Sequence, residues 1–405
     1  MATETLSAAP EPQEGRPVAK YELLIHARRA VVDGRIQKAA VTVDGGMISS
    51  VRTGPEARDI GLAGEHTIDL DDDVVLMPGL VDPHMSTEDL TAATRSAALG
   101  GVTAVVDYGT DGRPAVVEPE HLARWRDAAT GEASVDVGVW GAAVPENLGT
   151  LGALLDGGAL GISAIASGKG VAGAPTLDSE QLVAAADEVA AHGGLLAVDA
   201  GVEHLPALLD VSRRTGGRLH LRSVADADEL PLLRDAKRQG LPVTASTAPH
   251  LLALVSEAVD AGGTDARPDP PIRDAATREK LWGALREGTI DAVASARLGL
   301  SVVWTEARRR GLDPADVARW MSAAPAAVVG MDDRGAIRPG ARADFTVVAD
   351  DEAFVVLPDS RELGSADSVY AQRALAGVVR WTMTGGVVVD PRGLPRGTVI
   401  TRAAR

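Results

Sequence analysis

Ser179-Glu180-Gln181-Leu182-Val183-Ala184-Ala185-Ala186-Asp187-Glu188-Val189-Ala190-Ala191-His192 reads as a helix, and Leu195-Leu196-Ala197-Val198-Asp199 just after it reads as a short buried strand. The same alternation extends in both directions. Ala104–Asp107, Val135–Val139, Gly161–Ile165, Leu219-His220-Leu221 and Val243-Thr244-Ala245 are β-rich runs. Helix-like Ala/Leu/Glu/Arg segments such as Asp226 to Gln239 separate them. Repeated βα units of this kind predict a parallel sheet. A span of about 250 residues suits a closed (β/α)8 barrel. A doubly wound sheet is the alternative, but no Gly-x-Gly-x-x-Gly follows the first strand, and the barrel is favoured.

Both ends of the chain have a different texture. Glu22–His26, Ala40–Val43 and Met47–Val51 are short strands separated by turn signals at Asp33-Gly34 and Asp44-Gly45-Gly46. Gly335–Ile337, Ala343–Val348, Gly377–Met383 and Gly386–Val389 form a similar set near the other end. The two sets are expected to fold together. The expected fold class is therefore α/β: a (β/α)8 TIM barrel over 77–334 with a small β-sandwich domain from 19–76 plus 335–405, behind a disordered tail at 1–18.

The chain has 405 residues, 45% hydrophobic and 24% charged, ordinary values for a soluble globular protein. Aromatic residues are only 3%, so the core is expected to be built from Ala, Val and Leu. A net charge of −17 argues against nucleic acid and anionic membrane surfaces, where Lys and Arg supply the attraction. The chain has no cysteine, which removes thiolate chemistry and Cys-type zinc sites and is compatible with a reducing compartment. With no secretory signal in Met1–Arg16 and no apolar run long enough to span a bilayer, a cytoplasmic location is expected.

Met77-Pro78-Gly79-Leu80-Val81-Asp82-Pro83-His84-Met85-Ser86 carries the chemical information. It resembles the end of the first barrel strand in the cyclic amidohydrolases (dihydroorotase, hydantoinase, allantoinase), which continues as His-x-His. Ser134–Leu148, Pro270-Pro271-Ile272-Arg273-Asp274, Val302–Arg308 and Gly340–Asp344 are similar to allantoinase segments in particular. The resemblance spans roughly 20–400 and implies a binuclear metal centre held by four histidines, an aspartate and a carbamylated lysine. His84 stands in that pattern. Ser86 occupies the second histidine position, Ser163 the lysine position, Asp199 the third histidine position and Ser223 the fourth. The aspartate is replaced by Ala296 or lost with its loop. Loops after Ser86, Gly201 and Ser295 are also shorter than the family pattern, on the face where barrel enzymes keep their chemistry.

Metal-assisted amide hydrolysis needs several well-placed ligands. One histidine and one aspartate are too few, so no metal and no cofactor is expected. Two functional classes remain open. One is a non-hydrolytic pseudoenzyme with a structural or regulatory role, in a homo-oligomer or with another enzyme. The other is a metal-independent enzyme acting on a cyclic amide or ureide by hydrolysis or ring closure. In the second, His84 is the acid/base and Asp199 orients it. Ser86, Ser163, Arg222, Ser223, His250 and Arg273 are the candidate contacts to a small-molecule substrate, Arg222 and Arg273 as anion holders. His220 is expected one place off the inward register, facing the helices. Ser167-Gly168-Lys169-Gly170 lacks phosphate-loop spacing and reads as an ordinary βα loop.

Overall fold

The computed structural model describes residues 19–58, 62–87, 89–108, 115–166, 174–259, 270–294, 298–357 and 369–403. The N-terminal strands are β1 (Ala19–Val32), β2 (Arg35–Asp44), β3 (Met47–Thr53), β4 (Leu62–Leu70) and β5 (Val74–Pro78). The barrel strands are β6 (Leu80–Met85), β7 (Val102–Asp107), β8 (Asp136–Val139), β9 (Gly141–Ala142), β10 (Ile162–Ile165), β11 (Leu195–Asp199), β12 (Arg218–Leu221), β13 (Val243–Thr247) and β14 (Ala292–Val293). After the barrel come β15 (Phe345–Val355), β16 (Ala374–Thr384) and β17 (Val387–Val388).

β15 pairs antiparallel with β5, Phe345 opposite Pro78 and Val347 opposite Leu76, and so draws the two ends of the chain into one sheet. The sheet runs β17-β16-β15-β5-β1-β2-β3, with β4 parallel to β1. Its core holds Ile25, Val41, Ile48, Leu76, Phe345 and Met383. Gly335–Ile337 departs from the expected strand. Gly335 takes φ +77°, and a side chain there would meet the Ser322 carbonyl. The segment turns instead, delivering Ile337 to the sandwich core.

In the barrel every recorded pairing is parallel. β8 pairs with β7 and β9 with β10, so the stretch through Trp140 serves as one barrel strand with a kink. No ladder pair joins β14 to β6 among the described residues. The turn Arg319–Ala323 and the helix Ala324–Val329 pack against both strands and cover that seam.

The outer helices follow from the sequence. In Ser179–Ala191 the Asp178 carboxylate accepts from Gln181 N while the Gln181 side chain accepts from Asp178 N, a capping box that fixes the start. Leu182, Ala185, Ala186 and Val189 form its buried stripe. Burying Leu182 and Val189 contributes about 1.5–3 kcal/mol each. The aromatic-poor composition misleads in one respect: Trp140, Trp282, Trp304 and Trp320 are all fully buried and are among the largest side chains of the core.

At the lower end of the barrel, buried Asp136 accepts from Arg334 at 2.8 Å and lies 3.0 Å from Arg342, while Arg334 also reaches Asp344 at 2.8 Å. Thr398 donates to Asp136 from both its amide and its hydroxyl. This cluster locks the C-terminal stretch under β8. Among the described residues no helix is long and apolar enough to cross a membrane.

Candidate active site

Register partners in a parallel sheet share a face, so the ladder pairs define layers inside the barrel. Ser163, Ala197, His220 and Thr244 are mutual partners across β10 to β13. Asp199, paired with Ile165, lies one layer higher. The chain beyond β12 continues that upper layer, with Arg222 N donating to Val198 O.

His84 reaches this cluster from the other side of the barrel. A register shift lies between Asp82 and Met85, where His84 N donates to the Asp82 carboxylate at 3.0 Å. The irregularity turns the imidazole inward. Its Nε2 lies 3.0 Å from Nε2 of His220 and 3.2 Å from the Ser246 hydroxyl. His220 Nε2 is 3.1 Å from the same hydroxyl, and its Nδ1 is 2.8 Å from Thr244 Oγ1. Side chains from β6, β12 and β13 therefore meet at one point.

Aromatic walls complete the mouth. The His84 ring stacks with Tyr108 and with Trp140, each at 6.1 Å between centroids. The Trp140 indole donates to Pro83 O at 2.8 Å and so props the bend that carries His84. Gly161 makes room for that indole, because a Cβ there would lie 2.5 Å from it. Arg222 crosses the mouth from the end of β12. Its guanidinium carbon sits 4.1 Å from the centre of the Tyr108 ring, and Nη2 donates to Ala164 O at 3.3 Å.

Burial sets the charge states. It pushes His220 down to about 3, helped by the fields of Lys237 and Arg218. It holds His84 well below the usual imidazole range, with His220 and Arg222 adding in the same direction. Both rings are neutral at pH 7, and their short contact needs one Nε2 protonated and the other bare. Burial also brings Arg222 down to about 9, leaving it a cation near neutrality.

The candidate residues are dispersed more widely than the sequence implied. His84, Ser163 and Arg222 line the interior, while Ser86 is exposed at the rim. His84 takes His220 and Ser246 as Nε2 partners in place of the expected Asp199. Asp199 stands half-buried at the end of β11. Ser223 lies beyond β12 in a left-handed conformation at φ +53°. His250 Nε2 contacts Pro270 O at 3.0 Å, and Arg273 pairs with Asp226 at 2.7 Å away from the cluster. Ala296 and Ser167–Gly170 lie outside the described residues.

His220 corrects the expectation that it faces the helices. Counting back from Ser223 by twos fails because the strand ends at Leu221 and the left-handed Ser223 breaks the alternation. Within β12 the period of two holds, and it puts His220 inward. Ser246, Tyr108 and Trp140 were missed. Ser246 was signalled only by the alternation Thr244-Ala245-Ser246, and the two aromatics by nothing short of the packing.

The amidohydrolase family model matches residues 59–389. The chain belongs to the amidohydrolase family. An allantoinase of Streptomyces avermitilis is 36% identical, with 93% of this chain and 98% of that protein aligned. A probable allantoinase of Oryza sativa is 30% identical over 90% of this chain and 87% of its own length. The Streptomyces alignment runs over 442 positions, more than this family member possesses, so the relative carries segments absent here. L-hydantoinase of Arthrobacter aurescens superposes with a TM-score of 0.85 at 21% identity, covering 94% of this chain and all of that one. Dihydropyrimidinase of Brevibacillus agri gives 0.78 at 19% identity, covering 95% and 99%. These structural neighbours establish the fold.

The matches overturn the functional expectation. Extended similarity to allantoinases from bacteria, plants and yeast points to an active amidohydrolase, neither a pseudoenzyme nor a metal-independent enzyme built on His84 and Asp199. The expectation of no cofactor falls with it, since it rested on substitutions counted along the strands, and enzymes of this family normally use a binuclear metal centre. The described residues nonetheless do not fit such a centre. Among them no three His, Asp or Glu side chains converge on one point. The two imidazoles at the focus are spent on each other, and the Arg222 cation stands beside them.

Proposed function

We propose that this chain hydrolyses a cyclic ureide of the allantoin type, opening a ring amide at the barrel mouth. The observation that carries the reading is the 36% identity to the Streptomyces allantoinase, sustained over nearly the whole of both proteins. The mouth is chemically compatible with such a substrate. A cyclic ureide is a small planar ring edged with carbonyl acceptors and N–H donors. Tyr108 and Trp140 offer flat walls around His84. Arg222 offers donors to a carbonyl oxygen, while the neutral His84–His220 pair and Ser246 can both give and accept hydrogen bonds. The role of these residues in the proposal is to bind and orient the ring. Cytoplasmic residence and a homo-oligomeric state belong to the same proposal.

The test is direct. Purified protein is incubated with allantoin, alone and with added zinc, manganese or cobalt, and loss of the ring is followed together with appearance of the ureido acid. Turnover is expected. Absence of turnover of allantoin, hydantoin and dihydrouracil under every supplement would end the proposal.

A further inference from the structure

We infer that Arg222 is the seat of an anion subsite in the barrel mouth, and that its ligand is a carboxylate carried on a ureido chain, the acid released when a cyclic ureide is opened. The inference deepens the proposed function and rests on it for the ureido part of the ligand.

Arg222 is only 8% exposed, yet among the described residues no carboxylate lies within ion-pair distance of it. Its one hydrogen bond to them is the long contact with Ala164 O, and Nε has no partner there. Elsewhere the same fold treats a buried arginine differently. Arg334, whose side chain is 6% exposed, is held between Asp136 and Asp344 at 2.8 Å each. A buried cation without a counter-charge is unfavourable, and a bound anion removes that cost.

The neighbourhood is built for such a ligand. The Tyr108 ring lies under the guanidinium and fixes its plane. The Tyr108 hydroxyl is itself buried and has no partner among the described residues, so it offers a further donor beside the fork. Ser223, immediately after Arg222, adopts φ +53°, a conformation that costs energy for any side chain and persists where surroundings impose it. The course of the Arg222 side chain across the mouth follows from its register: Arg222 N donates to Val198 O, two residues beyond the inward His220.

One guanidinium can neutralise one negative charge, and its planar fork matches the two oxygens of a carboxylate. Amide hydrolysis of a neutral cyclic ureide creates that group and leaves a ureido arm with N–H donors and a carbonyl for the His84–His220–Ser246 cluster. A neutral ring lacks the charge, so Arg222 should discriminate product from substrate.

The experiment uses isothermal titration calorimetry on the full chain in EDTA-containing buffer, with ureidoacetate as the probe and neutral hydantoin as its uncharged counterpart. Ureidoacetate is expected to bind, more weakly as salt rises, and Arg222→Gln to weaken it by about 30-fold or more. Arg222→Lys should keep part of the affinity, and Tyr108→Phe, which preserves the ring, should lose about 5-fold. Hydantoin binding should weaken by a clearly smaller factor than ureidoacetate binding in the Arg222 variants, because it loses a neutral hydrogen bond and no ion pair. If Arg222→Gln fails to fold, Arg222→Lys and Tyr108→Phe carry the comparison. The inference is overturned if the wild type does not bind ureidoacetate, if the variants bind it unchanged, or if both probes weaken equally. Binding of ureidoacetate without any allantoin turnover would leave the subsite standing and remove the hydrolytic proposal. Turnover without Arg222-dependent binding would do the reverse.

Discussion

Acidification should destabilise this protein through the histidine pair, and the effect can be sized. His220 is fully buried and its imidazole is held at about 3, against an ordinary value of 6.5. Between those two values the unfolded chain binds a proton that the folded chain refuses, so stability falls as pH falls. At pH 4 the unfolded state has gained about 2.5 pH units of protonation free energy and the folded state almost none, which costs about 3 kcal/mol relative to pH 7. His84, depressed by the same burial and by His220 and Arg222, adds in the same direction. The assay is urea unfolding followed by far-ultraviolet circular dichroism at pH 7 and pH 4, for wild type and His220→Asn. The asparagine keeps a group near Thr244 and does not titrate. Wild type should lose about 3 kcal/mol more than the variant between the two pH values. Equal losses would refute the argument, because they would mean that His220 is protonated in the folded state as readily as outside it.

Further expectations concern the supports of the site. Trp140→Phe removes the donor to Pro83 O and part of a fully buried ring, so a loss of about 2–4 kcal/mol is expected in thermal or urea unfolding. Asp136→Asn leaves Arg334 short of a counter-charge and weakens the grip on Thr398. It should cost about 3–5 kcal/mol and speed proteolytic removal of the chain from about residue 397 onward. Glu229 is buried and raised to about 7, mainly by that burial, so its ionisation opposes folding as pH rises from 4.5 to 7. Glu229→Gln should therefore gain about 2 kcal/mol relative to wild type between pH 5 and pH 8, read from unfolding midpoints at the two pH values.

Glu229 also illustrates how a buried titratable group can hide in a sequence. At the start of the helix Glu229–Arg238 an acidic side chain looks like an ordinary partner of the helix dipole. Its burial and its nearness to Asp226 and Asp199 arise only when the βα loop folds over the barrel end. The expectation that Ser86, Ser163, Asp199 and Ser223 stand at ligand positions came from matching each to a short motif, one strand at a time. Such matches do not by themselves carry a function. A count of missing donors says what a strand lacks, but not what other strands contribute, and the full-length similarity to allantoinases weighed against that conclusion.

The sequence by itself determined the alternation of strand and helix, the pairing of the two chain ends and the family to which the motifs belong. These depend on local periodicity and on short contiguous runs. Tertiary structure alone decided that His84 meets His220 and Ser246, that Trp140 and Tyr108 wall the cluster, and that Arg222 lies buried across the mouth. The physical reason is that these contacts join residues up to 162 positions apart. They also depend on a departure from strand geometry, the bend at Asp82–Met85, that a period of two does not reveal.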